Sequence, residues 1–333
     1  MPKYYLAVDI GASSGRHILG CIRDGKIELE EIYRFENGMK RENGHLYWDS
    51  EGLFNHIVNG LAECKKIGKI PVSVGVDTWG VDYALLDEND ELVCRTYGYR
   101  DKRTDGMDEE VSRIIPEKEL YERTGIAKQM FNTIYQLMAS KIYEPETLEK
   151  TKTFLQLPDY FHFRLSGNKV SEYTEATTGQ LVNVRTGQWD TELIEKLGFP
   201  KDIFLPLSMP GTSAGPLRKE IADQVGFTCE VVLPATHDTA SAVMSVPTKG
   251  GDCVYISSGT WSLMGVETMT AITSEESRRA NFTNEGGYDH RFRFLLNIMG
   301  LWMIQQVRHE LNDAYSFAEL CDMAEKERDF PSR

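Results

Sequence analysis

A glycine-rich turn with an acidic residue at one end and a basic residue at the other is the first segment that could do chemistry. Residues 9–16 read DIGASSGR. The glycines let backbone N–H groups converge on phosphate oxygens, Arg16 adds positive charge, and Asp9 could hold a magnesium ion through water. A tight β-hairpin would need the same glycines for its dihedral angles. The spacing matches neither the Walker A loop nor the dinucleotide-binding turn, so neither of these sites is predicted.

The segment 77–82, which reads DTWGVD, combines two carboxylates with an indole ring. A sugar offers hydroxyl groups to carboxylate acceptors and a C–H face to an aromatic ring, so Asp77, Trp79 and Asp82 suit a sugar site. The alternative interpretation is a turn at the end of a strand, with Trp79 in the core.

A third candidate, the segment 237–242, reads HDTASA and follows an expected strand at 231–233. We expect Asp238 at the N-terminus of a helix, where it could act only as a cap. The functional interpretation is a general base that takes the proton of a sugar hydroxyl as this hydroxyl attacks phosphorus. A Ser-His-Asp hydrolase is the less favoured alternative for this segment.

The charge and composition exclude several classes of partner. Acidic residues outnumber basic residues by 51 to 37, which gives a formal net charge of −14. A surplus of this size disfavours nucleic acid or an anionic membrane as a partner, although backbone N–H groups and a metal ion can still hold phosphate. The apolar runs are too short to cross a bilayer. Cysteine and histidine spacings give no zinc pattern, and they favour a reducing cytoplasm.

Hydrophobic patterning predicts that these segments lie on an α/β domain with a mixed sheet, because a strand meander precedes the first helix. The order lacks the regular strand–helix alternation of a dinucleotide-binding fold. The expected elements are strands at 4–10, 17–22, 26–35, 72–76 and 81–86, a helix from the cap Asp49 to Gly68, and mainly helical chain over 105–200.

A second α/β unit is expected to begin near residue 250. Its first strand, over 253–257, ends in Ser258-Gly259-Thr260, which is a second glycine-containing turn between apolar runs. We therefore predict a boundary at about residue 245. Two such turns, one in each unit, could face each other across a cleft.

Together, these segments resemble the FGGY family of carbohydrate kinases. Each match alone is weak, but the ordered set is specific and covers nearly the whole chain. The segments that carry the resemblance are 9–16, 77–82, 99–101 (YRD), 157–161 (LPDYF), 175–183 (EATTGQLVN), 237–242, 257–263 (SSGTWSL) and 297–302 (NIMGLW).

The resemblance implies an α/β fold in which two actin-like (ribonuclease-H-like) domains enclose a cleft. Residues 1–245 would form the N-terminal sugar-binding domain, and residues 246–333 would begin the C-terminal nucleotide-binding domain. Members of the family continue past residue 333 with a glycine-rich segment that cradles adenosine. We therefore expect the second domain to be incomplete in this chain.

The activity that the resemblance implies is phosphorylation of L-rhamnulose at its 1-hydroxyl, with ATP as co-substrate and Mg²⁺ as cofactor, in L-rhamnose degradation. The alternatives are a kinase for L-fuculose or L-xylulose, an inactive sugar-binding fragment, and an actin-like ATPase. The oligomeric state is left open.

The resemblance also implies roles for particular residues, and it makes Asp238 the general base. The implied ATP contacts are Ala12, Ser13, Ser14, Gly15, Arg16, Thr260 and Gln305. The implied sugar contacts are Gly80, His237, Asp238, Thr239 and Asn297.

Overall fold

The structure, a computed structural model, describes residues 2–248, 253–259 and 261–327 and contains strands and helices in a mixed order. The strands are β1 (Tyr4–Ile10), β2 (Ser14–Arg23), β3 (Lys26–Glu36), β4 (Lys40–Glu42), β5 (His45–Tyr47), β6 (Pro71–Thr78), β7 (Tyr83–Leu86), β8 (Thr153–Gln156), β9 (Ser171–Glu172), β10 (Val182–Asn183), β11 (Gln188–Trp189), β12 (Leu207–Ser208), β13 (Ser213–Pro216), β14 (Glu230–Val232), β15 (Val254–Ser258), β16 (Trp261–Thr268), β17 (Thr283–Gly286) and β18 (Phe292–Met299). The helices are α1 (Ser50–Lys66), α2 (Met107–Ile114), α3 (Glu117–Thr124), α4 (Thr133–Tyr143), α5 (Pro145–Lys150), α6 (Leu157–Ser166), α7 (Tyr173–Ala176), α8 (Thr191–Lys196), α9 (Lys219–Val225), α10 (Asp238–Met244), α11 (Glu275–Arg279), α12 (Trp302–Glu310) and α13 (Phe317–Lys326).

A six-stranded mixed sheet in the order β13-β14-β6-β1-β2-β3 forms the centre of the first part of the chain. β1, β6 and β14 run parallel, whereas β2, β3 and β13 pair antiparallel with their neighbours. This confirms the mixed sheet that the strand meander predicts. The carboxyl ends of the three parallel strands meet at one edge of the sheet, which is where ligand sites form in open α/β sheets.

Helix α1 covers one face of this sheet, and its sequence explains why it forms there. The Asp49 carboxylate accepts a hydrogen bond from Gly52 N at 2.9 Å and caps the first turn. Leu53, Ile57 and Leu61 recur at helical spacing and are buried in the main core. The cap and the periodicity confirm the helix that the sequence predicts.

A four-stranded antiparallel sheet in the order β15-β16-β18-β17 forms the second part. Its core is small, with Tyr255, Leu263 and Leu295 packed beside Val243 of α10. Val254 and Ile256, which alternate with Tyr255 along β15, are 60% and 63% exposed.

Several helices, among them α3 and α5, lie where the sequence analysis gives no individual element, and β2 begins three residues earlier than predicted. The early start follows from pairing, since Ser14 is the register partner of Glu36 on β3. None of the helices in the described ranges is long and apolar enough to cross a membrane.

Candidate active site

A cleft of about 630 Å³ lies between the two sheets, and it collects most of the residues that the sequence analysis singled out. Gly15 is not among the residues that line it, and Thr260 lies outside the described residues. The candidate residues that line the cleft are Asp9, Ala12, Ser13, Ser14, Arg16, Gly80, His237, Asp238, Thr239, Asn297 and Gln305.

Strand register explains how the three segments of the first part converge. Asp9 on β1 is the register partner of Asp77 on β6. Thr78, the last residue of β6, forms a parallel bridge with His237, and Asp238 is the next residue along the chain. Three carboxylates from separate segments are therefore brought to one edge of the sheet.

A backbone hydrogen bond and a hydrogen bond from a side chain hold the glycine-rich turn. Gly11 N donates to Ser14 O at 2.9 Å, and Asn37 Nδ2 donates to Gly11 O at 2.8 Å. Gly15 has a packing reason to be glycine, because a Cβ there would lie 2.1 Å from Cζ of Phe35. The turn is thus a fixed feature of the cleft wall.

The two glycine-containing turns line the same cleft, as the sequence analysis anticipates. Gly259, in the second turn, accepts a hydrogen bond from Leu301 N at 2.9 Å. A Cβ on Gly300 would lie 2.6 Å from Gly259 O, so the close approach of these two segments requires glycine at position 300.

Asp9 and Arg16 form an ion pair at the mouth of the turn. The Arg16 Nη2 atom lies 2.8 Å from Asp9 Oδ2, and the two side chains are 49% and 31% exposed. Asp9 therefore faces both Arg16 and the buried Asp77. Burial, followed by the negative charges of Asp9 and Asp238, holds the pKa of Asp77 well above its usual range.

Asp238 is the first residue of α10, and His237 occupies the N-cap position. Asp238 is therefore not the N-cap residue of α10, so the simple N-cap interpretation is wrong. Its Oδ1 accepts from Thr239 N at 2.5 Å and from Thr239 Oγ1 at 3.1 Å, while Oδ2 has no hydrogen-bond partner among the described residues. Burial raises the pKa of Asp238 to about 6, and the charge of Asp9 contributes to the rise.

His237 is buried and faces a charged pair from the second sheet. Burial and the Arg293 guanidinium hold the pKa of His237 well below its usual range, so the ring is neutral. Arg293 Nη2 lies 2.9 Å from His237 Nδ1 and 3.1 Å from Glu285 Oε2. The cleft therefore contains a proton acceptor, Asp238, beside a neutral imidazole.

Comparison with known proteins identifies the family to which this arrangement belongs. The FGGY carbohydrate kinase N-terminal domain matches residues 4–245, and the C-terminal domain of the same family matches residues 254–332. The chain belongs to the FGGY family of carbohydrate kinases.

Two curated FGGY relatives are similar over nearly the whole chain. A rhamnulokinase of Halalkalibacterium halodurans is 53% identical over 323 residues, which cover 97% of this chain and 68% of the relative. A rhamnulokinase of Bacillus subtilis is 43% identical, and the match covers 98% of this chain and 67% of the relative. The chain thus spans about two thirds of the length of the relatives that it matches.

Solved structures agree with the fold of an FGGY kinase. A ligand-bound xylulose kinase from Lactobacillus acidophilus superposes with a TM-score of 0.84 at 17% identity, over 97% of this chain and 66% of that one. Plasmodium falciparum glycerol kinase with ADP gives 0.75 at 13% identity, over 98% and 67%. The chain has the two-domain actin-like α/β fold that the sequence resemblance implies.

Asp82, in the candidate segment 77–82, does not have the environment that the sequence analysis expects. Asp82 is fully buried, and its Oδ2 accepts from Trp48 Nε1 at 2.6 Å, Trp79 Nε1 at 2.9 Å and Tyr99 N at 3.2 Å. Gln136 Nε2 donates to the other oxygen at 2.9 Å. The Asp82 carboxylate is fully occupied by protein donors, so the interpretation of Asp82 as a sugar acceptor is wrong.

Trp79 fits both interpretations that the sequence left open. It is 7% exposed and lies against Trp48 with ring centroids 4.0 Å apart, yet it also lines the cleft. The next turn is strained, because the β-branched Val81 has a φ of 72°. Thr178 Oγ1 accepts from Val81 N at 3.1 Å, and Thr133 Oγ1 donates to Val81 O at 2.8 Å, so hydrogen bonds hold this conformation.

A nucleophile-elbow pattern, GTSAG at 211–215, takes no part in the cleft. Ser213 lies on the edge strand β13 rather than on a strand-to-helix turn, and its hydroxyl donates to Glu230. This location removes the support for a serine hydrolase.

Sequence reasoning missed Arg293. The alternation Arg-Phe-Arg-Phe over 291–294 is typical of a strand with one solvated face, which predicts an exposed arginine. The signal that marks Arg293 is tertiary: it is 0% exposed and paired with another buried charge.

Proposed function

We propose that this chain contains the acceptor site and base of a kinase that transfers the γ-phosphoryl group of ATP to the 1-hydroxyl of L-rhamnulose. The products are L-rhamnulose 1-phosphate and ADP. The observation that carries the proposal is the environment of Asp238, a cleft carboxylate with a pKa raised to about 6 and one oxygen that has no hydrogen-bond partner among the described residues. The identity with two rhamnulokinases supports L-rhamnulose as the sugar.

Asp238 would act as the general base. The sugar O1 attacks the γ-phosphorus as its proton passes to Asp238 Oδ2, the bond from phosphorus to the ADP oxygen breaks, and Asp238 later releases the proton to water. A carboxylate with a pKa of about 6 is still ionised at neutral pH and accepts a proton more readily than an ordinary aspartate.

Both walls of the cleft would contribute contacts to each substrate. Residues 1–245 would form the sugar-binding domain, and residues 246–333 would belong to the nucleotide-binding domain. The proposed ATP contacts are Ala12, Ser13, Ser14, Gly15, Arg16, Thr260 and Gln305, and the proposed sugar contacts are Gly80, His237, Asp238, Thr239 and Asn297.

The acidic edge of the sheet fits a magnesium ion. Asp9, Asp77 and Asp238 concentrate negative charge, and the raised pKa of Asp77 reflects their mutual repulsion together with burial. Within the described ranges, no group of three or more His, Cys, Asp or Glu side chains forms a set that could hold a metal ion alone. Asp9 would hold Mg²⁺ through water, with the phosphates as further ligands. When bound, Mg²⁺ supplies positive charge that stabilises the transferring phosphoryl group.

The overall charge of −14 and the small-molecule cleft support a cytoplasmic metabolic enzyme, with a ketose and ATP as its partners rather than nucleic acid or a membrane surface.

Calorimetric titration of the 333-residue chain with L-rhamnulose, L-fuculose and L-xylulose tests the sugar directly. Preferential binding of L-rhamnulose, together with ADP release when Mg-ATP is added, is the expected result. Preference for another ketose would reassign the substrate, and binding without ADP release would leave a sugar-binding protein. ADP release without any sugar would instead indicate an ATPase.

A further inference from the structure

Arg293 is a buried arginine on β18 that contacts the side chain of His237, the residue immediately before the proposed base Asp238. It is 0% exposed, and its Nη2 lies 2.9 Å from His237 Nδ1. Its Nε donates to Gly286 O at 3.1 Å, whereas Nη1 has no hydrogen-bond partner within the described ranges. Burying a guanidinium with one nitrogen unpaired costs free energy. The hydrogen bonds that the Arg293 guanidinium makes therefore do not by themselves explain why it is buried here.

The contact between Arg293 and His237 settles which ring nitrogen carries the proton. A guanidinium has only donors, so His237 Nδ1 must accept the hydrogen bond. A neutral imidazole that accepts at Nδ1 carries its proton on Nε2. That nitrogen lies 3.5 Å from Asp238 Oδ1. The His237 N–H is therefore directed to the side where the base lies.

The Glu285 carboxylate stabilises the buried charge of Arg293, but it also favours a proton on His237 Nδ1. Its Oε2 lies 3.1 Å from Arg293 Nη2, which compensates the buried positive charge. The same atom lies 3.4 Å from His237 Nδ1 and would favour a proton on that nitrogen. The guanidinium is the nearer partner of His237 Nδ1 at 2.9 Å, whereas Glu285 Oε2 makes only an ion pair with Arg293 and has no hydrogen-bond partner among the described residues.

We propose that Arg293 is a positioning residue that fixes His237 as the Nε2–H tautomer, so that His237 donates to the oxygen of the attacking hydroxyl while Asp238 accepts the proton of that hydroxyl. The catalytic part of this inference rests on the proposed function. The pair His237–Asp238 belongs to the first part of the chain, whereas Arg293 and Glu285 belong to the second sheet. The second wall of the cleft thus orients a donor on the first wall.

Nitrogen-15 NMR of the ligand-free protein tests the tautomer without any activity. The His237 resonances are assigned by their loss in His237→Gln. We expect a protonated Nε2 and an unprotonated Nδ1. A proton on Nδ1, or on both nitrogens, would overturn the proposal. This measurement separates the two inferences, because a correct tautomer in a protein that phosphorylates no ketose contradicts only the proposed function.

Steady-state kinetics test the positioning role with matched variants. Arg293→Met should lower kcat about tenfold or more, since a misdirected donor forfeits part of the about 100-fold that general acid–base groups supply. KM for ATP should be unchanged, and Arg293→Lys should recover part of kcat. Arg291→Met, which removes a neighbouring arginine that is 44% exposed, is the control and should match the wild type.

The kinetic experiment also has outcomes that would contradict the positioning role of Arg293. Wild-type kcat in a folded Arg293→Met protein would overturn the positioning role, as would a mixed tautomer in Arg293→Met with no loss of rate. If Arg293→Met does not fold, Arg293→Lys and the wild-type spectrum decide the question, because Lys retains the charge opposite Glu285 but not the paired donors.

Discussion

Asp9 and Asp77 are register partners on the parallel neighbours β1 and β6, and this pairing concentrates negative charge at one edge of the cleft. Asp77 is buried, and the charge of Asp9 helps to hold its pKa well above the usual range. The same Asp9 charge raises the pKa of Asp238. The charge of Asp9 on β1 therefore contributes to the raised pKa of two other carboxyls, those of Asp77 and Asp238.

The first prediction concerns the pH profile. The ionised form of Asp238 is the base, so turnover rises as pH increases through its pKa of about 6. In Asp9→Asn a nearby negative charge is lost, the pKa of Asp238 falls, and the acid limb of the profile moves to lower pH. The measurement is kcat against pH at saturating sugar and Mg-ATP.

The position of the acid limb, and not the height of the profile, is the readout, because Asp9 is also a proposed metal residue. Asp24→Asn, in the exposed turn between β2 and β3, is the control and should leave the limb unmoved. A limb that stays in place in Asp9→Asn would show that Asp238 does not sense this charge.

The second prediction concerns the base itself. Asp238→Asn removes the proton acceptor but retains the size and the Oδ1 acceptor for Thr239. We expect turnover to fall by about 100-fold or more, the usual contribution of a general base. The affinity for the sugar, measured by calorimetry, should stay within about tenfold of the wild type, equivalent to about 1.4 kcal/mol. Turnover within a few-fold of the wild type would remove Asp238 from this role.

Local patterns were sufficient for strands β1 to β3 and for helix α1. The alternation of β1 to β3 and the cap at Asp49 are encoded within a few residues, so the sequence predicts them well. Helix α3 was not resolved as an element because it is short and highly charged, with Glu117 and Lys118 at its start. Its existence depends on packing, which buries Leu120 and Tyr121.

The site was predictable where a motif presents its residues to the cleft, as at Asp9 and Asp238. It was not predictable where partners are distant in sequence. Asp82 looked like a free acceptor, but its donors Trp48 and Gln136 come from other segments. Arg293 looked like a surface residue of an alternating strand, and only the fold shows that it is buried against His237.

The third prediction separates the two interpretations of Trp79. Trp79 and Trp48 both donate to Asp82 Oδ2, at 2.9 Å and 2.6 Å, but only Trp79 lines the cleft. Trp79→Leu and Trp48→Leu should both destabilise the fold by about 1–3 kcal/mol, since each leaves a buried carboxylate with one donor fewer. Thermal denaturation measures this loss.

Only Trp79→Leu should also weaken sugar binding, by about 1 kcal/mol, which is the scale of a lost aromatic contact. Calorimetric titration of the two folded variants provides the comparison. Equal sugar affinities would leave Trp79 as a core residue and nothing more.

The fourth prediction concerns Glu175, a fully buried residue of α7 whose two carboxylate oxygens have no hydrogen-bond partner in the part of the chain that the structure describes. Burial and the neighbouring charge of Asp159 raise its pKa well above the usual 4.5. The folded state therefore favours the neutral acid. The stabilisation from this carboxyl is fully present below about pH 4.5 and is lost as pH rises through the raised pKa of the folded state.

Glu175→Gln keeps a neutral group at this position, so it should be more stable than the wild type at pH 8 and nearly equal to it at low pH. Each unit by which the pKa of Glu175 is raised corresponds to about 1.4 kcal/mol of this difference. Denaturant unfolding at several pH values measures it, with the exposed Glu109→Gln as the control. A stability difference that does not change with pH would mean that the pKa of Glu175 is the same in the folded and the unfolded protein, which contradicts the prediction.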